Sequence, residues 1–338
     1  RDLHSFPTRR SSDLTRFIGQ GILPVETTKY NLTPDHISWD VLGPAKGMTS
    51  AHTLGADPKL VEARVLKTLA QKPAHFKEAQ RLNERDLLLV RGLGTEDRTR
   101  MAGRLVTMAI EDLSLRVDTR VEWAIWQALQ GRLVLNENGV KRTIDYGVPG
   151  GNKIDVSDGA GEYWSHADGD PISDLQAALD KFDGTGAGRV RAFYNRSVAK
   201  LMSGNATVRD LVRQSAPVLQ LGSSNVGSLV MDLVGGLEAM VQYDEGYVDD
   251  AGTFTKFIPD NKVILLGSGA ATERLGEFAS TPSLHNGGID GATGGKFAGI
   301  DDSRAMAQAN PFVEVFAGIY GLPVLFHPDW IVVLTVGS

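Results

Sequence analysis

The longest helical pattern in the sequence covers residues 96–130. Thr95 suits the N-cap position, Glu96 and Asp97 place negative charge in the first turn, and Gly131 suits the position after the helix. Two rows of apolar residues at helical spacing form a broad stripe: Val106, Ile110, Leu113, Val117, Val121, Ala124 and Ala128 in the first row, and Met101, Leu105, Met108 and Leu115 in the second. We therefore predict one helix of roughly 52 Å. This helix has a structural role and carries no catalytic or binding motif.

Residues 1–14 differ in character from everything that follows. They read RDLHSFPTRRSSDL and show neither helical nor strand periodicity. The segment resembles, at every position, a translated adapter oligonucleotide used in preparing DNA libraries for sequencing. We interpret residues 1–14 as sequencing-adapter translation that is not native, in a chain from assembled environmental DNA. We assign residues 15–35 to an N-terminal arm and expect that arm to be truncated.

Composition excludes several classes of function. The chain has 35 basic and 41 acidic residues, a formal net charge of −6, which argues against binding nucleic acid by neutralising phosphates. It contains no cysteine, which excludes disulfides, thiolate nucleophiles and cysteine-ligated metals. No apolar run approaches the roughly 20 residues of a membrane helix. We predict a folded, water-soluble protein.

The order of predicted elements indicates a divided α+β fold. Residues 15–72 are mostly extended and cannot easily form a core alone, and residues 76–90 suggest short helical or irregular structure. A hairpin is predicted over residues 132–146, followed by a compact unit at about 160–275 with helix caps at Asp170 and Asn195. Residues 286–303 are rich in glycine and polar residues. Two late strands, at 312–320 and 323–336, are expected to return to the hairpin and the long helix.

A turn after an apolar strand is the main enzymatic candidate. Val263 to Leu266 run into Gly267-Ser268-Gly269, which resembles the opening of a dinucleotide-binding turn, where glycines let the backbone approach a pyrophosphate. Thr272 stands where the third glycine belongs, and no acidic strand end follows. A tight turn at a strand end is the simpler interpretation. The pair Gly92 and Gly94 before the long helix is a weaker phosphate-loop candidate, because it lacks a lysine and precedes two acidic residues.

The histidines do not form a recognisable metal or catalytic site. Outside residues 1–14 they are His36, His52, His75, His166, His285 and His327. His166 lies close to Glu162, Asp168 and Asp170, but this spacing does not fit a calcium loop, and a solvated acidic loop is the simpler interpretation. We predict no catalytic residues, no cofactor and no metal.

The order of these parts resembles the major capsid proteins of tailed bacteriophages, in the group typified by the lambda head protein, the phage capsid E family. Its most specific motif is Phe257-Ile258-Pro259-Asp260-Asn261-Lys262 followed by an apolar strand, which is similar to the family's Leu-Pro-Asp-Asn turn. The run from Tyr320 to Val336 is similar to the family's closing strands. The resemblance covers nearly all of residues 20–338 and lies more in the order of the motifs than in any single one.

The resemblance implies a fold and a division of the chain. The fold is α+β, of the type first described for phage Hong Kong 97, with a long spine helix, a peripheral sheet, an inserted axial domain and an extended loop. The implied boundaries are the extended loop at 36–84, the peripheral domain at 85–155 with the spine helix at 96–130, the axial domain and its connection at 156–304, and the returning strands of the peripheral domain at 305–338.

The implied function is structural rather than enzymatic. Copies of the chain would assemble, as hexamers and pentamers, into an icosahedral head shell that encloses phage DNA without sequence-specific contacts. Portal, scaffolding and decoration proteins are the expected partners, no membrane is involved, and the protein is expected in the virion after assembly in the bacterial host cytoplasm. Two alternatives stay open at this point. One is an encapsulin-like cellular nanocompartment shell, and the other is a nucleotide-binding enzyme using Gly267 and Gly269.

Overall fold

The computed structural model describes most of the chain from residue 17 onward. The described residues are 17–26, 36–43, 48–49, 51–53, 55, 57, 60, 66–83, 85, 95–157, 162–215, 222, 225–249, 251–269, 273–286, 293–301 and 312–337. The glycines at 92 and 94 lie outside them.

The described helices vary widely in length. They are α1 (Ile18–Ile22), α2 (Thr95–Leu129), α3 (Pro171–Asp180), α4 (Arg196–Gly204), α5 (Ala206–Ser215) and α6 (Val226–Val234), with 3-10 turns at Gly150–Asn152 and Pro328–Trp330. The helix predicted at 96–130 is confirmed to within one residue at each end. Gly131 follows it with φ +87°, a left-handed conformation that ends helices and favours glycine. Among the described residues, no helix is both long and apolar enough to cross a membrane.

The described strands are mostly short. They are β1 (Val25–Glu26), β2 (Ile37–Leu42), β3 (Leu66–Gln71), β4 (Ala74–Asn83), β5 (Arg132–Glu137), β6 (Val140–Asp145), β7 (Lys153–Asp155), β8 (Arg189–Tyr194), β9 (Leu237–Gln242), β10 (Gly246–Val248), β11 (Phe254–Lys256), β12 (Lys262–Ser268), β13 (Gly276–Ser280), β14 (Lys296–Asp301), β15 (Phe312–Leu325) and β16 (Ile331–Thr335). The hairpin predicted at 132–146 is confirmed as β5–β6.

Burial along α2 supports one of the two predicted apolar rows. Five members of the first row are buried: Leu113, Val117, Val121, Ala124 and Ala128. Met108 and Leu115 of the second row are 59% and 38% exposed, so their predicted burial was wrong. Successive residues on a helix are separated by about 100°, which places both side chains off the buried row. Helical periodicity locates the two rows of apolar residues on α2, but it does not show which of the rows is buried by other parts of the same chain.

The chain divides into two compact units. The first comprises Arg1–Ser38, Ala70–Ile125 and Glu277–Val324. Its sheet is built around β15, which pairs antiparallel with β4 along ten residue pairs, from Phe312–Asn83 to Gly321–Ala74. Strand β14 pairs antiparallel with the other side of β15, while β13 neighbours β15 and carries β1 in parallel.

The second unit has its own sheet and its own core. It comprises Trp39–Leu69, Trp126–Gly276 and Leu325–Ser338. Five strands lie in the order β7-β16-β12-β8-β9, and helices α3 to α6 contribute to one buried apolar cluster with them. Strands β12 and β16 each contain four consecutive buried aliphatic residues, as expected of central strands.

The two predicted helix caps in the second unit are confirmed. The Asp170 side chain accepts hydrogen bonds from the backbone N–H groups of Ile172 and Ser173, and Pro171 occupies the first helical position of α3. The Asn195 side chain accepts from the N–H groups of Ser197 and Val198 at the start of α4. Each cap satisfies backbone donors that the helix itself leaves unpaired.

The late strands differ from the prediction. Strand β15 is one strand of 14 residues rather than two, and it belongs to the first unit's sheet. Strand β16 pairs with β12 and β7 of the second unit, so residues 305–338 do not return to one sheet with the hairpin. Apolar content identifies β16 as a buried strand, but it does not specify the partner that buries it.

Several other elements were not predicted. Strand β4 replaces the helical or irregular structure expected at 76–90, and it lies in the β15 sheet although residues 36–84 were assigned to an extended loop. Strand β4 is largely exposed and rich in charged residues, so its sequence lacks the alternation of apolar and polar residues that predicts a strand. Strands β13 and β14 and helix α6 were also missed. Residues 126–155, assigned with the long helix, cluster with the second unit instead.

Candidate functional site

The candidate nucleotide turn has a packing role. Gly267 lies inside β12, paired with Val190, rather than in a loop. A Cβ added to Gly267 would lie 2.7 Å from the Cβ of Ala187, and one added to Gly269 would lie 2.5 Å from the Trp330 ring. Such distances are too short for non-bonded carbon atoms. Both glycines therefore let neighbouring side chains approach the backbone, and the sequence pattern needs no pyrophosphate to explain it.

The acidic loop around His166 contains a contact between two side chains. The Nδ1 of His166 lies 2.7 Å from Oε2 of Glu162, and both side chains are about half exposed. In the part of the chain that the structure describes, no group of three or more histidine and acidic side chains could hold a metal ion.

The Phe257–Lys262 motif forms a tightly bonded turn in the second unit. The Asn195 side-chain amide donates hydrogen bonds to the carbonyls of Ile258 and Pro259, both at 3.0 Å, and to the Asp260 carboxylate at 2.9 Å. The next residue, Asn261, donates through its side chain to the Gly337 carbonyl and accepts from the Val336 N–H. The motif therefore joins the start of α4, the start of β12 and the residues after β16.

Asp260 adds an ion pair to this turn. The Lys256 ammonium lies 2.6 Å from its carboxylate. This hydrogen bond, with smaller contributions from Ser197 and Asn195, holds the pKa of Asp260 below its ordinary value. The family's turn motif is thus a structural joint, and no reacting group is placed there.

The N-terminal segment is fastened to the long helix by a buried carboxylate in the first unit. Glu122 is fully buried and accepts hydrogen bonds from the N–H groups of Gly19 at 2.7 Å and Gln20 at 3.0 Å. The Gln20 side chain donates in turn to the Asp118 carbonyl. A Cβ on Gly19 would lie 2.8 Å from a Glu122 oxygen, so this close contact requires glycine.

The β2–β3 segment has a buried base and an uncovered distal part. In β2, Ile37 and Trp39 are buried, and the Trp39 ring lies 6.4 Å from the ring of Tyr146. Burial raises the pKa of Tyr146 well above its ordinary value. Farther along, Met48 and Leu60 are 96% and 95% exposed.

The comparisons with known proteins assign the family. Residues 10–279 match the family described as "Phage major capsid protein E". The match covers most of the chain, and the chain belongs to this family. No curated protein sequence matches it.

Several solved structures have folds similar to that of this chain. A protein assigned as the capsid protein of a prophage in E. coli CFT073 is 18% identical, with a TM-score of 0.60 over 96% of this chain and 93% of that one. A phage-related protein from Bordetella bronchiseptica RB50 is 13% identical, with a TM-score of 0.52 over 97% and 93%. The SrpI encapsulin from Synechococcus elongatus PCC 7942 scores only 0.45, too little to support an argument.

The class and the role follow from these findings together. The fold is the mixed helix and sheet fold of Hong Kong 97-type capsid proteins, as the resemblance implied. The chain is a phage major capsid protein, a structural protein of the virion shell and not an enzyme. Its functional sites are accordingly surfaces between copies. Sequence reasoning named no individual residues of those surfaces.

Proposed function

We propose that rings of this chain, hexamers and pentamers, form the shell and that residues 36–71 act as the extended loop of the capsid fold. The loop of one copy lies across the surface of a neighbour, which covers Met48 and Leu60. The exposure of these two side chains is the observation that carries the proposal. Burying both against a neighbour supplies apolar stabilisation that a single copy lacks.

The same proposal names the two units. The first unit, with most of α2 and the β15 sheet, serves as the peripheral domain, and α2 serves as the spine helix. The second unit, from Trp126 to Gly276 with β16, serves as the axial domain near the centre of each ring. Met108 and Leu115 on α2 support this reading, since their exposure leaves the spine helix with apolar surface for a neighbouring copy.

The remaining partners follow from the role of a head shell. The shell encloses DNA without sequence-specific contacts, in keeping with a net charge of −6. Portal and scaffolding proteins, and in some shells decoration proteins, act with it during assembly in the bacterial host cytoplasm. Purification of shells with co-expressed portal and scaffold candidates tests these partners.

Electron microscopy of the expressed full chain tests the ring and shell architecture. We expect closed shells or capsomer-sized rings. A chain that stays monomeric and fully ordered at high concentration would refute the assembly proposal.

A paired variant isolates the extended loop. Met48→Ser with Leu60→Ser should leave the melting temperature of the dissociated subunit unchanged and sharply reduce the yield of shells. Thr49→Ser with Thr53→Ser, at exposed polar positions of the same segment, is the matched control and should assemble normally. Normal assembly by the Met48 and Leu60 variant would exclude the loop contact while leaving the shell function intact.

A further inference from the structure

The hairpin β10–β11 presents two large apolar side chains to solvent. Val248 pairs directly with Phe254 across the antiparallel strands. Directly opposed residues project from the same face of a strand pair, so the two side chains lie together. They are 64% and 55% exposed. Nothing in the fold requires an apolar pair at this point, because the opposite face of the hairpin already supplies its anchor.

That anchor is a series of aromatic contacts within the second unit. Tyr247, the neighbour of Val248 in β10, stacks on Phe257 with ring centroids 6.2 Å apart. Phe257 stacks on Tyr243 at 6.2 Å, and Tyr243 stacks on Trp126 at 5.4 Å. One face of the hairpin is thereby fixed to the core, which leaves the Val248 and Phe254 face pointing outward.

The described residues at the tip of the hairpin are hydrogen-bonded to one another. One carboxylate oxygen of Asp249 accepts hydrogen bonds from the N–H groups of Ala251 at 3.0 Å and Thr253 at 2.8 Å. Gly252 donates its N–H to the Asp249 carbonyl and has φ +83°, a conformation that favours glycine. Residues that such hydrogen bonds already hold lose little conformational entropy on binding, as expected of a docking element.

Charge indicates what the hairpin binds. Between Asp244 and Lys256 the chain carries four acidic residues and one lysine. Helices α4 and α5 have the opposite balance: from Arg196 to Arg213 they carry four basic residues and one aspartate. Arg196 already contacts Asp244 within the same copy, which leaves Lys200, Arg209 and Arg213 for a neighbouring copy. Lys200, Arg209 and Arg213 are all exposed there. The acidic, apolar hairpin and the basic helical surface are therefore complementary parts of one chain.

We propose that the hairpin β10–β11 of one copy docks on helices α4 and α5 of the next copy, head to tail around the ring. This inference rests on the proposed ring assembly and names the contact that closes it. Because the two contact surfaces differ, the interface is heterologous, and a repeated heterologous contact produces a closed ring when the rotation permits. A hairpin-to-hairpin contact would instead bring two acidic surfaces together, which is unfavourable.

The absence of cysteine makes cross-linking a direct test. In the full chain, Phe254→Cys combined with Arg213→Cys, or with Lys200→Cys, should form disulfides between copies and give a ladder of oligomers on oxidation. Phe254→Cys combined with Lys141→Cys, an exposed position on β6, is the matched control and should give no ladder. The single variant Phe254→Cys should stay unlinked. Efficient dimerisation of that single variant would show a hairpin-to-hairpin contact and overturn the proposal.

Removal of the apolar pair gives a second, independent measurement. Val248→Ser with Phe254→Ser should raise the subunit concentration for half-maximal assembly about tenfold or more, an effect of roughly 1.4 kcal/mol or more per contact. Thermal unfolding of the dissociated subunit should not change, since both side chains are exposed. Val134→Ser with Val140→Ser on the β5–β6 hairpin is the matched control, expected to assemble as the parent chain does.

Different outcomes would overturn the ring assembly and the hairpin contact. If the unmodified chain forms neither rings nor shells, the ring proposal and this inference fail together. If the unmodified chain assembles, the hairpin contact alone is overturned by normal assembly of the Val248 and Phe254 variant, or by the absence of cross-links at both α4 and α5 positions.

Discussion

The sheet of the second unit and the distal part of the β2–β3 segment, at Met48 and Leu60, place their apolar residues in opposite environments. In β12, Val263, Ile264 and Leu265 are fully buried between neighbouring strands and helices of the same unit. In the β2–β3 segment, Met48 and Leu60 are almost fully exposed. The first region acquires its stability within one chain, whereas in the proposed shell Met48 and Leu60 are covered by a neighbouring copy. Substitutions should therefore separate folding defects from assembly defects.

The largest effect is expected where the long helix is buried. Val117→Asp would place a charge at a position that is 5% exposed, with a cost of several kcal/mol. We expect loss of soluble folded protein and of assembly together, measured by circular dichroism and electron microscopy. Leu115→Asp, two residues away and 38% exposed, serves as the control that should fold. Normal shells from the Val117 variant would refute the burial of the row of α2 that contains Val117.

A cavity in the second unit should reduce the free energy of unfolding by less than the charge at Val117 does. Leu265→Ala removes a fully buried side chain from the central strand β12, at about 2–5 kcal/mol. Chemical denaturation should show a lower free energy of unfolding, with shells still forming at low temperature. A loss below about 1 kcal/mol would show that the core collapses around the site, against the usual behaviour of close-packed interiors.

A smaller effect is expected at the carboxylate that holds the N-terminal segment. Glu122→Gln keeps the shape but replaces a charged acceptor for Gly19 and Gln20, and hydrogen bonds to charged groups contribute about 1.5–3 kcal/mol. Hydrogen exchange should show faster exchange of both N–H groups, with β12 unaffected. Glu78→Gln, an exposed partner of Arg116, is the control for loss of a carboxylate near the same helix. Unchanged protection in the Glu122 variant would contradict the contact.

The smallest effect concerns pH. The hydrogen bond from Lys256 lowers the pKa of Asp260 in the folded chain, so its stabilising contribution is present above the unfolded pKa, near 3.9, and is lost as pH falls through the folded value. The side chain is 66% exposed, so the contribution is only a few tenths of a kcal/mol. Asp260→Asn should reduce the loss of melting temperature on acidification. Asp168→Asn, at an exposed loop position, should not reproduce this change.

The sequence predicts well those features that local chemistry determines. The ends of α2, the β5–β6 hairpin and the caps Asp170 and Asn195 depend on residues near in sequence, and all were confirmed. Strand β4 was missed because its exposed, charged residues carry no strand period, and only pairing with β15 makes it a strand. The exposure of Met108 was missed for a related reason: an apolar pattern does not distinguish burial in one chain from burial between copies.

The position of β16 has a consequence for synthesis on the ribosome. This strand joins β7 to β12 in the sheet of the second unit, yet β7, β8, β9 and β12 all precede it in the chain. Until β16 has been translated, the edges of β7 and β12 that it will occupy stay unpaired. Ribosomes add about 5–20 residues per second, so the incomplete sheet persists for seconds. The nascent chain therefore passes through an interval in which those open edges are available for incorrect pairing with other nascent chains or for binding by chaperones.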